Sequence, residues 1–317
     1  MNSMKPVARM SVKNARAIVN PAAGGHSIYR EWPSLSKRLI DQGLLFDHVY
    51  TEGVGHATEL AREAANSDYD YIIAVGGDGT VNEIVNGILN STGSHNKILG
   101  IVSAGTTCSF ARSIGIPLDP INSCKLLTSK NRLSIDVGVV EYKRGNEHLS
   151  RFFVNEADVG FGATVVEASK LMHTYFGRKI NYLPHILGGI GSLFNYKNKR
   201  IAVRVDEEAE EICVCTMLVI ANGTYFGGGM RVAPYAKPDD GLLDMIFFGD
   251  MGKSELMKIW SMTYNGRHIN NEKVRLRQIR NLSIQSNERV LVEADGELLG
   301  EGPASFSVLP SALRIVM

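Results

Sequence analysis

Residues 74–84, AVGGDGTVNEI, set three glycines and one aspartate between a run with the composition of a buried strand and a run with helical period. Val81, Ile84, Val85, Ile88 and Leu89 share one helical face. Thr80, followed three positions later by Glu83, fits a capping box, so a helix is expected to begin at Thr80. Gly76, Gly77 and Gly79 then lie just ahead of a helix N-terminus. There, bare N–H groups and the positive end of the helix dipole attract an anion, and residues without Cβ let a phosphate come close. Asp78 would repel that phosphate unless a cation stands between them, and a magnesium ion, direct or through water, is the simplest resolution. The alternative is a tight turn in which Asp78 only caps backbone.

Two further stretches carry carboxylates beside glycine: KPDDGLLD (237–244) and EADGELLGEGP (293–303). Asp-Gly between apolar runs is first of all a hairpin signal. The second stretch also gathers Glu293, Asp295, Glu297 and Glu301 within nine residues, a self-repulsion that calls for a cation or a proton-transfer task. A carboxylate on a rigid turn could accept a hydroxyl proton during phosphoryl transfer. Familiar nucleotide loops do not account for the chain. FFGDMGKS (247–254) has Phe247 where a Walker motif needs its first glycine, and no G-x-G-x-x-G occurs.

The elements that must position these residues follow from periodicity. Short β-branched runs (17–20, 46–50, 71–75, 98–102) alternate with segments of helical period such as Ile28, Trp32, Leu35, Leu39 and Leu60, Ala61, Ala64, Ala65. Alternating strand and helix implies a parallel sheet covered on both faces, with ligands outside the carboxyl ends of its strands. Three glycine-rich loops, NPAAGG (20–25), GGDGT (76–80) and SAGTT (103–107), follow three of those strands and would line one rim. From about Asn131 strand-like runs dominate, with helical interludes near 163–172, 180–194 and 254–264. The expected architecture is an α/β N-terminal domain over residues 1–134 and a mainly antiparallel β-sandwich-like domain over 135–317, with the C-terminal tail returning to the first domain.

Composition limits the function classes. With 34 Lys+Arg against 33 Asp+Glu in 317 residues, no bulk basic field points to nucleic acid, which is not expected as a partner. Cys108, Cys124, Cys213 and Cys215 form neither a disulfide framework nor zinc spacing; Cys213 and Cys215 read as two buried thiols on one strand face. The N-terminal MNSMKPVARMSVKNAR lacks an apolar stretch, and the longest apolar run, 212–221, is far short of the roughly 20 residues of a membrane span. A cytoplasmic, soluble protein is expected. Segment 176–200 has apolar residues between basic ends (Arg178, Lys179; Lys197, Lys199, Arg200), a composition able to rest on an anionic bilayer, although a domain-packing helix is the preferred reading. Arg275, Arg277 and Arg280 read as a solvated edge strand.

In order, NPAAGG, GGDGTVNEIVNG, SAGTTCSFAR, PDDGLLD and ADGE resemble the bacterial diacylglycerol kinase family, which is related to sphingosine and ceramide kinases and shares a nucleotide-binding fold with NAD kinases. The resemblance implies ATP-dependent phosphorylation of a lipid hydroxyl, with nucleotide in the cleft between the two domains. It implies nucleotide contacts at Asn20, Pro21, Ala22, Ala23 and Gly24, at Thr51, at Gly76, Gly77, Asp78, Gly79, Thr80, Val81 and Asn82, and at Thr106. It makes Glu297 the proton acceptor, with Asp295 its neighbour or the base itself. It places a structural magnesium on Asp240 with the carbonyls of Lys237 and Leu242. The partners it implies are a lipid at a membrane surface, met peripherally and transiently, and a second copy of the chain in a homodimer. One departure matters: where many members read G-T-x-N-D-F-A-R, this chain has GTTCSFAR, so Cys108 and Ser109 replace an Asn-Asp pair. A neutral serine is a poorer cation partner than an aspartate, which puts diacylglycerol itself in doubt. Two other readings stand beside this one: a kinase for a soluble substrate such as a dinucleotide, and a nucleotide-binding regulatory protein without catalysis.

Overall fold

A computed structural model describes residues 14–93, 97–176, 189 and 191–317. Its contacts divide the chain into two compact units: Met1–Gly105, Ile116–Leu133 and Arg314–Met317 form the first, Thr106–Gly115 and Ser134–Leu313 the second.

In the first unit the chain alternates β1 (Ala15–Val19), α1 (Ser27–Asp41), β2 (Phe46–Tyr50), α2 (His56–Asn66), β3 (Tyr71–Gly76), α3 (Asp78–Leu89) and β4 (Ile98–Ser103). It leaves through α4 (Ser109–Ser113), which belongs to the second unit, and returns in α5 (Pro120–Leu126). The strands pair in parallel in the order β2, β1, β3, β4, and Arg314 and Ile315 add a parallel segment beside Ile98 and Leu99. Every residue of β3, YIIAVG, is buried, as an inner parallel strand covered on both faces requires. Ile28, Trp32, Leu35 and Leu39 form the buried stripe of α1. They pack with Val19, Ile73, Val75 and Val102 of the sheet, each large side chain worth about 1.5–3 kcal/mol of burial. Helices α2 and α3 cross so closely that a Cβ on Gly87 would stand 2.3 Å from the Thr58 carbonyl oxygen, which fixes glycine there.

Helix α3 corrects one expectation. It starts at Asp78 with Gly77 as N-cap, so Thr80 lies inside the first turn and does not cap it. Glu83 turns instead to another helix, its two oxygens accepting the N–H groups of Gly55 and Ala57 at 2.9 and 3.2 Å. The N-cap of α2 is Gly55, in the left-handed region at φ 85°, and has no side chain to satisfy those amides. Glu83 supplies the missing acceptor from across the helix pair.

The second unit holds β5 (Arg132–Arg144) from Ser134 on, β6 (Glu147–Phe153), β7 (Glu156–Gly160), α6 (Phe161–Phe176), β8 (Lys199–Val205), β9 (Glu211–Cys215), β10 (Met217–Ala221), β11 (Leu243–Phe248), α7 (Lys253–Thr263), β12 (Val274–Ile279), β13 (Asn281–Gln285), β14 (Leu291–Ala294) and β15 (Glu297–Val316) up to Leu313. An antiparallel ladder runs β12, β11, β10, β7, β14, β15, and β15 continues through β13 to β8 and β9. Alternating side chains of these strands, among them Phe153, Leu218, Ile220, Leu282, Val292 and Phe306, fill one core. An α/β unit with a parallel sheet and an antiparallel β-sandwich-like unit are thus both present, as the sequence implies. Of the paired thiols, Cys215 is buried and Cys213 only half-buried at the margin of that core. The interlude expected at 180–194 and most of segment 176–200 lie outside the described residues, as does the N-terminal stretch before Asn14; residues 191–195 are helical. No helix among the described residues is long and apolar enough to cross a membrane.

Candidate active site

The first unit gathers the glycine loops at one end of its sheet. Asn20 donates its backbone N–H to Val75 (2.9 Å) and its side-chain amide to Thr80 Oγ1 (3.0 Å), while its Oδ1 accepts the Ala22 N–H at 3.0 Å. The N–H of Ala104 reaches the Gly76 carbonyl at 2.9 Å, and a Cβ on Gly77 would meet the Gly105 Cα at 2.9 Å. Gly24, at φ 59°, passes so near Ala104 that an added Cβ would stand 3.3 Å from its carbonyl oxygen. Thr51 is buried at the end of β2 and bonds through its N–H to Val19. The loops after β1, β3 and β4 therefore touch one another, which parallel strands of matched register bring about.

Within that rim, Pro21, Ala22 and Ala23 lead into a short 3-10 turn, and Asp78 is the half-buried first residue of α3, with Gly79 exposed beside it. Val81 and Asn82 are buried on α3, and Asn82 Oδ1 accepts from Asn86 at 3.2 Å. Thr106 falls in the second unit, ahead of α4. Removing Glu83 should disturb the 51–56 loop from outside it. Glu83→Ala leaves two amide N–H groups at the start of α2 without their acceptor, so an unfolding titration should read a loss of about 1–3 kcal/mol. An unchanged unfolding free energy would show that other acceptors serve those amides.

In the second unit the acidic stretch 293–301 is resolved residue by residue. Asp295 and Gly296, both with positive φ (47° and 81°), form the two-residue turn between β14 and β15, the backbone that favours Asp-Gly. The Asp295 carboxylate accepts three backbone N–H groups, from Val154 at 2.8 Å and from Asn155 and Glu156 at 3.0 Å each. Its own N–H donates to the Glu156 carbonyl at 2.9 Å. Glu297, the first residue of β15, projects outward and pairs with Lys170 of α6 at 2.9 Å. Glu301 pairs with Arg289, and Glu293 turns into the core, where its Oε2 accepts the Gly296 N–H at 2.9 Å.

Sequence reasoning passed over the residues beneath this turn. In NEADVG (155–160), Asn155, Glu156 and Asp158 are all buried, which their alternation with apolar residues does not announce. Asn155 donates its side-chain amide to the Tyr225 carbonyl at 2.8 Å, and its Oδ1 accepts the Ser113 hydroxyl at 3.1 Å, tying α4 to the turn that carries Asp295. Asp158 caps α6, accepting the Ala163 N–H at 3.1 Å, and burial lifts its carboxyl to about 7 against the pull of the Ala163 and Gly162 amides. Ahead of α4, Cys108 occupies the left-handed region at φ 43°, a conformation asparagine tolerates better.

The turn at 237–242 offers oxygen donors. Asp240 accepts the Leu242 N–H at 3.1 Å and the Gln278 side-chain amide at 3.1 Å. Close by, Asp244 is buried with its Oδ1 unpartnered, and burial together with the Asp240 charge lifts its carboxyl to about 6. Among the described residues no group of three or more His, Cys, Asp or Glu side chains could hold a metal. Two neighbouring carboxylates, one with an orphaned oxygen, and backbone carbonyls are still the donors a hard cation takes.

Residues 156–317 match the family described as the YegS C-terminal NAD kinase beta sandwich-like domain. The chain belongs to that family. Ahead of this YegS-type domain, residues 14–140 match the diacylglycerol kinase catalytic domain. Relatives similar along almost the whole chain include the diacylglycerol kinase of Bacillus subtilis, 26% identical over 307 residues (96% of this chain, 97% of the relative), and that of Staphylococcus haemolyticus, 28% identical over 304 residues (96% and 88%). Among solved structures, a diacylglycerol kinase from Bacillus anthracis superposes with a TM-score of 0.70 at 21% identity (96% of each chain). An NAD kinase from Archaeoglobus fulgidus in complex with ATP superposes at 0.51 and 15% identity (96% and 93%). Both structures share the fold.

Proposed function

We infer that this chain is an ATP-dependent lipid kinase that transfers the γ-phosphoryl group to a lipid hydroxyl. The observation that carries the reading is the contact of three glycine loops ahead of the α3 N-terminus, with Asp78 as its first residue. Full-length similarity to proteins named diacylglycerol kinase supports the lipid acceptor. Phosphoryl transfer asks chiefly for positioning and charge neutralisation, which amide-rich loops and carboxylates supply.

In this reading Asn20, Pro21, Ala22, Ala23, Gly24, Thr51, Gly76, Gly77, Gly79, Thr80, Val81, Asn82 and Thr106 contact nucleotide. Asp78 serves the metal that accompanies the triphosphate. Glu297 takes the hydroxyl proton, because its carboxylate projects outward whereas that of Asp295 is occupied by three amides. Asp240 with the carbonyls of Lys237 and Leu242 would hold a structural magnesium, and the orphaned Asp244 oxygen fits a cation there. Bound there, the ion would supply positive charge to the two aspartates and stiffen the turn. The protein meets lipid peripherally, a reading supported by the basic ends of segment 176–200.

The test is incubation of purified protein with labelled ATP, magnesium and a panel of lipids in mixed micelles, followed by separation of the lipid phosphates. A labelled lipid phosphate is expected, with diacylglycerol not necessarily the best acceptor because Ser109 is a neutral side chain, buried at the start of α4. Phosphorylation of a soluble dinucleotide without micelles, or ATP binding without transfer to any acceptor, would overturn the reading.

A further inference from the structure

Two carboxyl groups that the transfer reaction does not use lie under the Asp295, Gly296 turn. Glu156 of β7 and Glu293 of β14 are 6% and 3% exposed, and on these paired strands each carboxyl lies within the field of the other. The strands pair antiparallel, and a shift of register between Val292 and Glu293 in the β14–β15 ladder leaves Leu299 of β15 as the extra residue. Two ionised carboxylates buried this close repel each other and lose their hydration, so the pair holds at least one proton.

Which oxygen carries it follows from the remaining contacts. Glu293 Oε2 accepts the Gly296 N–H, so Glu293 acts as an acceptor. Glu156 Oε2 is buried with no hydrogen-bond partner. An ionised oxygen left so would be uncompensated in a low-dielectric setting, whereas the carbonyl oxygen of a neutral acid is far cheaper to leave alone. Glu156 is therefore the member that keeps the proton.

The charged surroundings agree. Asp158 stands beside Glu156 on β7, and Asp295 on the turn above; both raise the two glutamates further, in the same direction as burial. Strand β15 presents Glu297 and Glu301. Among its described side chains α6, which packs on β7 and β14, presents Glu167 and Lys170, and β10 presents no charged residue. Lys170 is engaged by Glu297, and Arg289, just ahead of β14, by Glu167 and Glu301.

We propose that Glu156 is kept as a neutral carboxylic acid that donates to Glu293, and that the pair is a positioning device which fixes the Gly296 amide and, one residue on, the side chain of Glu297. Its link to turnover rests on the kinase reading; its effect on the turn does not. The sign is set by the direction of the shifts. A carboxyl raised above its ordinary value near 4.5 stabilises the fold below that value and loses its contribution as pH rises through the folded-state value. The turn should be held at acid and neutral pH and loosen on the alkaline side.

The experiment compares the parent chain with Glu156→Gln, whose amide donates the same hydrogen bond and cannot lose the proton. Two quantities are followed against pH: the hydrogen-exchange protection of the Gly296 amide by NMR, and the rate of lipid-phosphate formation. In the parent both should fall about tenfold per pH unit above the titration of the pair, as loss of a single proton dictates. In Glu156→Gln both should stay level over that range. Glu293→Gln is the second variant: its carbonyl accepts the Gly296 N–H and its amide donates to Glu156, so it should flatten both profiles too. Parent protection that holds across the range, or variants that fall in step with the parent, would overturn the proposal. Protection that behaves as stated while turnover profiles coincide would overturn the positioning role. A parent that forms no lipid phosphate at any pH would instead refute the kinase reading, and the exchange data would still decide the pair.

Discussion

Asp78→Asn is expected to lower lipid-phosphate formation by about 10²–10³-fold, the usual scale for losing one electrostatic contributor to a transition state, while barely moving the melting temperature. The residue begins α3, where a negative charge contributes about 0.3–1 kcal/mol through the helix dipole, and its N-cap, Gly77, makes no side-chain hydrogen bond. That dipole contribution is small beside what charge neutralisation stands to lose. The variant also separates two roles by the sign of its effect on binding. A carboxylate beside the triphosphate repels it without a cation and attracts it through one. With the metal chelated, calorimetry should therefore find that Asp78→Asn binds ATP more tightly than the parent; with magnesium in excess the order should reverse. Full turnover in the variant, or the same order of affinities in both conditions, would reduce Asp78 to a turn-forming residue.

The difference between what periodicity revealed and what it concealed has a physical basis. β3 and β4 are legible because an inner parallel strand must be apolar at every position, and the rim follows because loops after parallel strands share an edge. The capping box expected of Thr80 and Glu83 is a local pattern, and the packing of α3 overrides it. Glu83 had a second set of orphan amides within reach on α2, and only the packing of two helices discloses them. The run Glu293, Asp295, Glu297, Glu301 looked like concentrated repulsion because sequence spacing ignores the alternation of strand faces and the turn. In the fold one side chain points inward, one is bound by amides and two meet cations. Glu156 and Asp158 stayed hidden because nothing near them in sequence says that β7 is an inner strand between β10 and β14.

Asp295 and Glu297, which motif reading could not tell apart, make opposite predictions for rate and stability. Glu297→Gln removes a carboxylate whose only described partner is an exposed ion pair with Lys170, a contact of little weight for the fold. Its melting temperature should match the parent, its Michaelis constant for ATP should stay within about twofold, and kcat should fall about 10²–10⁴-fold, the range for loss of a general base. Asp295→Asn keeps the shape but puts an NH₂ group where an oxygen now accepts. At least one of the amides of Val154, Asn155 and Glu156 must then face a donor, with a loss of about 1–3 kcal/mol of stability and a lower melting temperature. Its rate should drop as well, because the turn that presents Glu297 is no longer held. Thermal melts beside initial rates decide the assignment. A catalytic loss at position 295 without a stability loss, together with normal turnover in Glu297→Gln, would move the base to Asp295, whose oxygens would first have to exchange their amide partners for the acceptor hydroxyl.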